Sequence, residues 1–414
     1  MTNLIFRILL AAVIALGAWQ APAAADTART QYGLDYSVRF VPESGLAQVS
    51  IKHTPGTGAL RRLELSMPEA RYTEVRGDGK VSRDGATVTW VLPTKGPGTL
   101  RFSYRVNKKR RSGGYDARMT DDWVIVRGDH LFPSARVRAT AGAESRARLR
   151  VLLPEGWTGA DTAFPRSEDR RHFIVENPER SFSRPVGWMI AGTIGARREQ
   201  LGDTHVSVAG PKGDVVRRND MLAFFNGLVP EFKEAFGKLP QKLLVVSAGD
   251  PMWRGGLSGP NSLFLHADRP LISENGTSTL THELVHVITR IRGAESDDWI
   301  TEGLAEFYSI EMLRRAGLLS DARADRAHEW MANHGKAIKS LSHDRAYGPR
   351  TARSVQLFRE LDAEIRERTD DKHDLDDIVR ALIPLRVISR EDLREQVREL
   401  TGTPSRVLAT PLLD

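Results

Sequence analysis

The rhythm of apolar and polar positions changes once along this chain. From Gln31 to about Val208, short runs alternate with a period of two or hold a few apolar residues together. Tyr36–Val41, Gln48–His53, Arg62–Ser66, Thr87–Leu92, Leu100–Val106 and Ala147–Leu153 are such runs. Turn pairs separate them, among them Asp78-Gly79, Asp84-Gly85 and Gly96-Pro97-Gly98. This pattern predicts a β-sandwich-like domain over 26–208. Beyond Asp214 the pattern is different. Val215–Phe236 predicts a helix stopped by Gly237, and Lys242–Ser247 and Ser262–His266 predict buried strands. Helical spacing dominates from Ser278 onward. The expected fold class is α+β. The second domain, 209–414, is mixed α/β to about 316 and a helical lobe after that.

The first 25 residues follow another logic. Arg7 precedes the apolar run Ile8–Trp19, and Ala23-Ala24-Ala25 forms a small-residue cleavage site. That is the layout of a secretory signal, and the run is short for a membrane span. The chain is expected to be exported, periplasmic or secreted, with cleavage near Ala25 and no transmembrane span in the mature protein. The net charge of +7 comes from 60 Lys+Arg against 53 Asp+Glu. The dense run Lys108-Lys109-Arg110-Arg111 precedes Ser112-Gly113-Gly114 and reads as a hairpin tip, so nucleic acid is not an expected partner. Cysteine is absent, which excludes disulfides and thiolate metal sites.

Metal chemistry built from His and carboxylates remains open, and one segment has the spacing for it. Thr281-His282-Glu283-Leu284-Val285-His286 contains H-E-x-x-H, between Ser278 as an amino-terminal cap and Gly293 as a stop. Residues four apart on a helix share a face one turn apart, so His282 and His286 can hold one metal ion. Glu283 lies about 100° round the helix, beside an open coordination position, where it can take a proton from an activated water. A third ligand follows in Trp299-Ile300-Thr301-Glu302-Gly303-Leu304-Ala305-Glu306. Asp297 or Asp298 can cap this second helix, Glu302 can complete a two-His, one-Glu zinc site, and Gly303 can let the two helices approach. Glu306, one turn on, can accept the second ring N–H of His282. One Zn2+ per chain is the expected cofactor.

H-E-L-V-H followed by W-I-T-E-G-L-A resembles the gluzincin metallopeptidases. Within them, Leu361-Asp362-Ala363-Glu364-Ile365-Arg366-Glu367-Arg368-Thr369, Leu375-Asp376-Asp377-Ile378-Val379-Arg380 and Gly255-Gly256-Leu257 are similar to the glycyl aminopeptidase family. The resemblance implies a thermolysin-like catalytic domain, zinc on His282, His286 and Glu302, and Glu283 as general base and proton shuttle. It also implies that Gly255, Gly256 and Leu257 sit at a sheet edge where a peptide can pair. The sequence departs from the family at three places. Ser258 stands where relatives carry an acid that holds a substrate's amino terminus. The candidate oxyanion tyrosine, Tyr347, is a few residues further from Leu361-Asp362 than expected, with His343 and Tyr308 as lesser candidates. No PDZ-like module is expected before Asp414. The fifteen residues 287–301 between His286 and Glu302 also call for a compact loop.

The expected function is therefore zinc-dependent hydrolysis of a peptide or protein substrate, with aminopeptidase and endopeptidase both open. The alternative is an envelope protein that keeps the metal and binds peptides with little or no turnover. Met252, Trp253 and Arg254 read either as a subsite wall or as an exposed loop. His328, His334 and His373 read as solvated surface residues.

Overall fold

The computed structural model describes residues 30–177 and 182–414. The expected signal segment lies outside the described residues. Among them, no helix is long and apolar enough to cross a membrane.

Strand Gln31–Val41 alternates strictly, with Tyr32, Leu34, Tyr36, Val38 and Phe40 turned inward. It lies in a six-stranded sheet, parallel to Glu144–Leu152 and antiparallel to Leu46–Thr54. A four-stranded sheet containing Leu60–Ser66 and Thr87–Val91 shares the same core, to which it contributes Leu63, Leu65, Val88 and Trp90. A third, five-stranded sheet joins them, built around Trp123–Arg127 and Trp188–Gly192. The alternation pattern missed these two strands because both are continuous short apolar runs, the signature of strands covered on two faces.

The expected boundary after 208 falls inside strand Thr204–Pro211. That strand pairs with Ile194–Leu201 on one side and Lys242–Ala248 on the other. The sheet of the second half therefore begins near Ile194, a hairpin earlier than the change in pattern suggested. Its order continues through Ser262–His266 to Gly256–Gly259, which is an edge. Every residue of Lys242–Ala248 is buried, as expected of a central strand with parallel neighbours.

Two kinds of contact join the halves. The apolar one sets Ile125, Trp188 and Ile190 against Leu244, Val246 and Phe264. The polar one runs through Trp188, whose Nε1 donates to the Leu257 carbonyl at 2.8 Å and whose backbone N–H donates to the Ser262 hydroxyl at 2.8 Å. These bonds fix the edge strand against the amino-terminal half. Helix Arg218–Phe236 and the helices after Thr279 bury one large core on the other side of the sheet.

Candidate metal centre and cleft

The first site helix runs Thr279–Thr289. Ser278 caps it by accepting the Thr281 N–H at 3.1 Å. It ends at Arg290, which takes a left-handed conformation (φ 54), and not at Gly293. Gly293 serves the next turn, where a β-carbon would stand 2.3 Å from the Asp297 carbonyl oxygen. The connection is compact as expected: Arg292–Gly293 pairs with Val387–Ile388, and the Asp297 N–H bonds back to Ala294 at 3.0 Å.

The second site helix is Asp298–Arg315. Asp297 occupies its cap position, but its carboxylate makes no cap bond. It accepts instead from Trp299 Nε1 and from the backbone N–H and Nε of Arg390, which tie the helix to the carboxy-terminal lobe. Asp298 accepts the Ala346 N–H at 2.8 Å. Gly303 does not face the first site helix. A β-carbon there would meet Ser354 at 2.5 Å and Phe358 at 2.8 Å, so it seats helix Pro349–Arg368. One residue is about 100° of turn, so Gly303 and Glu302 face different neighbours.

Glu302 faces the histidines. His282 Nε2 and His286 Nε2 stand 3.1 Å apart. Glu302 places one oxygen 3.4 Å from His282 Nε2 and the other 3.5 Å from His286 Nε2. Donor atoms on a tetrahedral zinc, bound at about 2.0–2.1 Å, stand about 3.3–3.4 Å from one another. Each of these spacings is close to zinc-ligand size, with a different Glu302 oxygen facing each ring, and among the described residues the three side chains are the cluster suited to a metal ion. Glu306 Oε2 lies 2.7 Å from His282 Nδ1, which fixes the ring and leaves Nε2 turned toward His286 and Glu302.

Electrostatics reinforce the arrangement. Burial, with the charge of His282 behind it, pushes His286 down to about 4, so it is a neutral imidazole. Burial would also lower His282, but hydrogen bonds to Glu302 and Glu306 hold it well above the ordinary value. The same two carboxylates favour any cation at that position. Glu283 is buried and its pKa is raised, chiefly by that burial, while His282 and hydrogen bonds from Ser258 pull it back.

The edge strand lies directly over Glu283. A β-carbon on Gly256 would stand 2.8 Å from Glu283 Cγ and 2.7 Å from Thr279 Cγ2, so only glycine permits this approach. Gly256 and Leu257 pair with Leu265 and Phe264, and among the described residues no strand pairs with the other edge. Trp253 is half-buried, with its ring against Gly255 and the Arg110 guanidinium 3.9 Å above it. The basic run is a hairpin tip, as expected, but Arg110 is docked on the second half and not simply solvated.

Other candidates fall elsewhere. Tyr347 is 72% exposed and does not line the cleft that opens from His286 and Glu302. Tyr308 is in the core, donating to Asp376 at 2.8 Å. His343 is exposed, as are His334 and His373. His328 is buried at 3%, against expectation, between Phe307 and Glu311. Its helix, Asp321–Gly335, is polar overall, so the burial was not legible from local pattern. Arg127, from the amino-terminal half, was also missed. Its Nη1 donates to the Ser258 carbonyl at 3.2 Å, across 131 residues of sequence.

No family model matches this sequence, and no curated protein matches it. Solved structures do resemble it. An aminopeptidase N family protein from Idiomarina loihiensis superposes with a TM-score of 0.62 at 14% identity, over 92% of this chain and 74% of that one. This chain shares the α+β fold of that protein. The M1 zinc metallopeptidase of Deinococcus radiodurans gives 0.57 at 14% identity, over 93% of both chains. Aminopeptidase A of Legionella pneumophila, solved with aspartic acid, gives 0.56 at 11% identity, over 94% of this chain and half of that one. At such identities the likeness speaks for the α+β fold, and the chemistry rests on the residues above.

Proposed function

We propose that this chain is an exported zinc-dependent peptidase, with one zinc held by His282, His286 and Glu302. The carrying observation is that two imidazole nitrogens 3.1 Å apart each face an oxygen of the Glu302 carboxylate, at 3.4 and 3.5 Å. Zinc, when bound, supplies a Lewis acid and makes water acidic enough to react near neutral pH. The protein's own residues do the rest. His282 is oriented by Glu306, and His286 is kept neutral by burial. Glu283, steadied by Ser258, accepts a proton from the attacking water and returns it to the leaving amine. The edge strand Gly256–Gly259 offers backbone groups to an extended peptide at its Gly255–Gly256 end, because the Leu257 and Ser258 carbonyls already accept from Trp188 and Arg127.

Glu283→Gln tests this directly. Zinc content should stay near one per chain while kcat/KM falls about 10²–10⁴-fold. Full hydrolysis by Glu283→Gln would rule out Glu283 as the base, and protein that takes up no zinc would end the reading altogether.

One observation favours a second reading, a metal-holding binding protein with little turnover. Tyr308 is engaged with Asp376 in the core, and Tyr347 is exposed and does not line the cleft. Peptide binding by zinc-loaded wild-type protein without cleavage would select this version.

A further inference from the structure

Ser258 is held from the amino-terminal half at both of its peptide groups. The group before it carries the Leu257 carbonyl, which accepts from Trp188 Nε1 at 2.8 Å. The group after it carries the Ser258 carbonyl, which accepts from Arg127 Nη1 at 3.2 Å. Arg127 and Trp188 stand opposite each other in paired antiparallel strands, so their side chains leave the same face of the sheet. The Arg127 guanidinium lies 5.8 Å from the Trp188 ring centre. Both residues are themselves braced. Asp129 accepts from Arg127 Nε at 3.0 Å and, on its other oxygen, from the Gly187 N–H at 3.0 Å. The Trp188 ring is buried, and its backbone N–H is bound to Ser262. Gly187 has φ 79, and a β-carbon there would stand 2.4 Å from the Pro260 carbonyl oxygen, so the turn after the edge strand sits directly on this joint.

Ser258 in turn bears on Glu283. It lies two residues beyond Gly256, on the same face of the edge strand, and a β-carbon on Gly256 would stand 3.0 Å from Glu283 Oε1. Hydrogen bonds from the Ser258 backbone and hydroxyl favour the ionised carboxylate. A donor on the Leu257 carbonyl polarises the peptide group whose N–H belongs to Ser258, which makes that N–H a stronger donor. We propose that Arg127 and Trp188 are positioning residues for Glu283: they clamp Ser258, and through it the carboxylate that takes the water's proton. The catalytic half of this proposal rests on the peptidase reading, whereas the clamp itself is measurable without turnover.

Arg127→Met keeps the stem and removes the donors, and Trp188→Phe keeps a buried ring and removes Nε1. Each is made with Glu283 present and in a Glu283→Gln background. All proteins are zinc-loaded and assayed on one mixture of internally quenched peptides, N-acetylated and unblocked. With Glu283 present, kcat should fall about 10–100-fold while KM stays within about twofold and zinc stays near one per chain. In the Glu283→Gln background residual hydrolysis should change less than about twofold, because the group being positioned is gone. A joint with a purely structural role would lower both backgrounds alike. Amide hydrogen exchange reads the clamp: Gly256–Gly259 should exchange faster in both variants, while helix Thr279–Thr289 keeps its wild-type protection. Unchanged kcat, or equal losses in the two backgrounds, would overturn the proposal. So would a raised KM with kcat intact, which would make Arg127 a substrate contact in the cleft it lines. Wild-type exchange at Gly256–Gly259 in both variants would overturn it whatever the activity. Faster exchange there in a zinc-loaded protein whose wild type cleaves no peptide would end the peptidase reading and leave the clamp standing.

Discussion

Two buried polar clusters sit on opposite sides of this molecule's chemistry. Around Asp161, which is 1% exposed, the carboxylate takes Lys242 Nζ at 2.6 Å, Ser207 Oγ at 2.7 Å and Arg198 Nη2 at 3.0 Å. The Thr162 N–H is a fourth donor at 3.0 Å, and two cations face the one carboxylate, so the cluster is closed to a further cation. It joins strand Gly159–Thr162 of the amino-terminal half to the sheet of the second half. Around His282, two ring nitrogens and a carboxylate turn toward one point. Both clusters are buried and both shift pKa values, so neither burial nor a shift marks a functional site. What separates them is matching: a self-satisfied cluster holds structure, and a convergent set of acceptors calls for a cation.

The largest effect should come from opening the acceptor cluster. Glu302→Ala removes one member and should take zinc per chain, measured by elemental analysis after dialysis, from near one to near zero, and hydrolysis with it. The Asp161 cluster should be indifferent, so the melting transition of the metal-free protein should match metal-free wild type within about 0.5 kcal/mol. A variant that keeps full zinc occupancy would break the comparison at its first step.

The converse change should act on stability alone. Asp161→Ala strands Lys242 without its counter-ion, which costs about 3–5 kcal/mol for a buried pair. Removing both charges with Asp161→Leu and Lys242→Met should recover most of that loss, because a well-packed apolar pair can replace a buried ion pair. Urea unfolding measures both, and zinc content of the folded fraction should not change. If Asp161→Ala unfolds with the wild-type midpoint, the joint is not held by this cluster.

Much of the candidate site was legible because its geometry is local. His282, Glu283 and His286 share one helix, and Glu302 and Glu306 share the next, so helical periodicity sets their faces. The capping bond of Ser278 was equally local. The rest depended on contacts distant in sequence. Asp161, Ser207 and Lys242 carry no mutual spacing signal, nor do Arg127 and Ser258. Gly303 was legible as a close-approach residue, but its partner was not, since the helix that packs on it starts at Pro349. Tyr347 shows the limit from the other side: a family spacing proposed it, and it is an exposed loop residue that does not line the cleft. In the amino-terminal half, alternation found strands with one wet face and missed Trp123–Arg127 and Trp188–Gly192, whose central positions are wholly buried.

A smaller change separates orientation from ligation within the site. Glu306→Gln keeps a hydrogen-bond acceptor near His282 Nδ1 but removes the charge, so the imidazole is a weaker ligand. Zinc affinity should fall about 10–100-fold, with the occupied enzyme retaining activity. Competition with a chelator gives the affinity. A change of less than about twofold would make Glu306 a surface carboxylate with no hold on the ring.

The smallest effect is a pH dependence that belongs to the closed cluster. Burial would raise the Asp161 carboxyl, but Lys242, Arg198 and Ser207 overcome it and bring it from 3.8 to about 2. The folded value lies below the unfolded one, so folding favours the ionised form. This stability is fully present above the unfolded value and drains away as pH falls through the folded one. That lowering corresponds to about 2–3 kcal/mol. Both proteins keep Lys242, so the carboxylate is what differs between them. The measurement is a difference: unfolding free energy of wild type minus Asp161→Asn, followed from about pH 5 to about pH 2. It should shrink as the pH drops, while other acidic groups cancel between the two proteins. A difference that stays flat would mean that Asp161 is not ionised in the fold, and the contrast between a donor-satisfied cluster and an open one would lose its closed member.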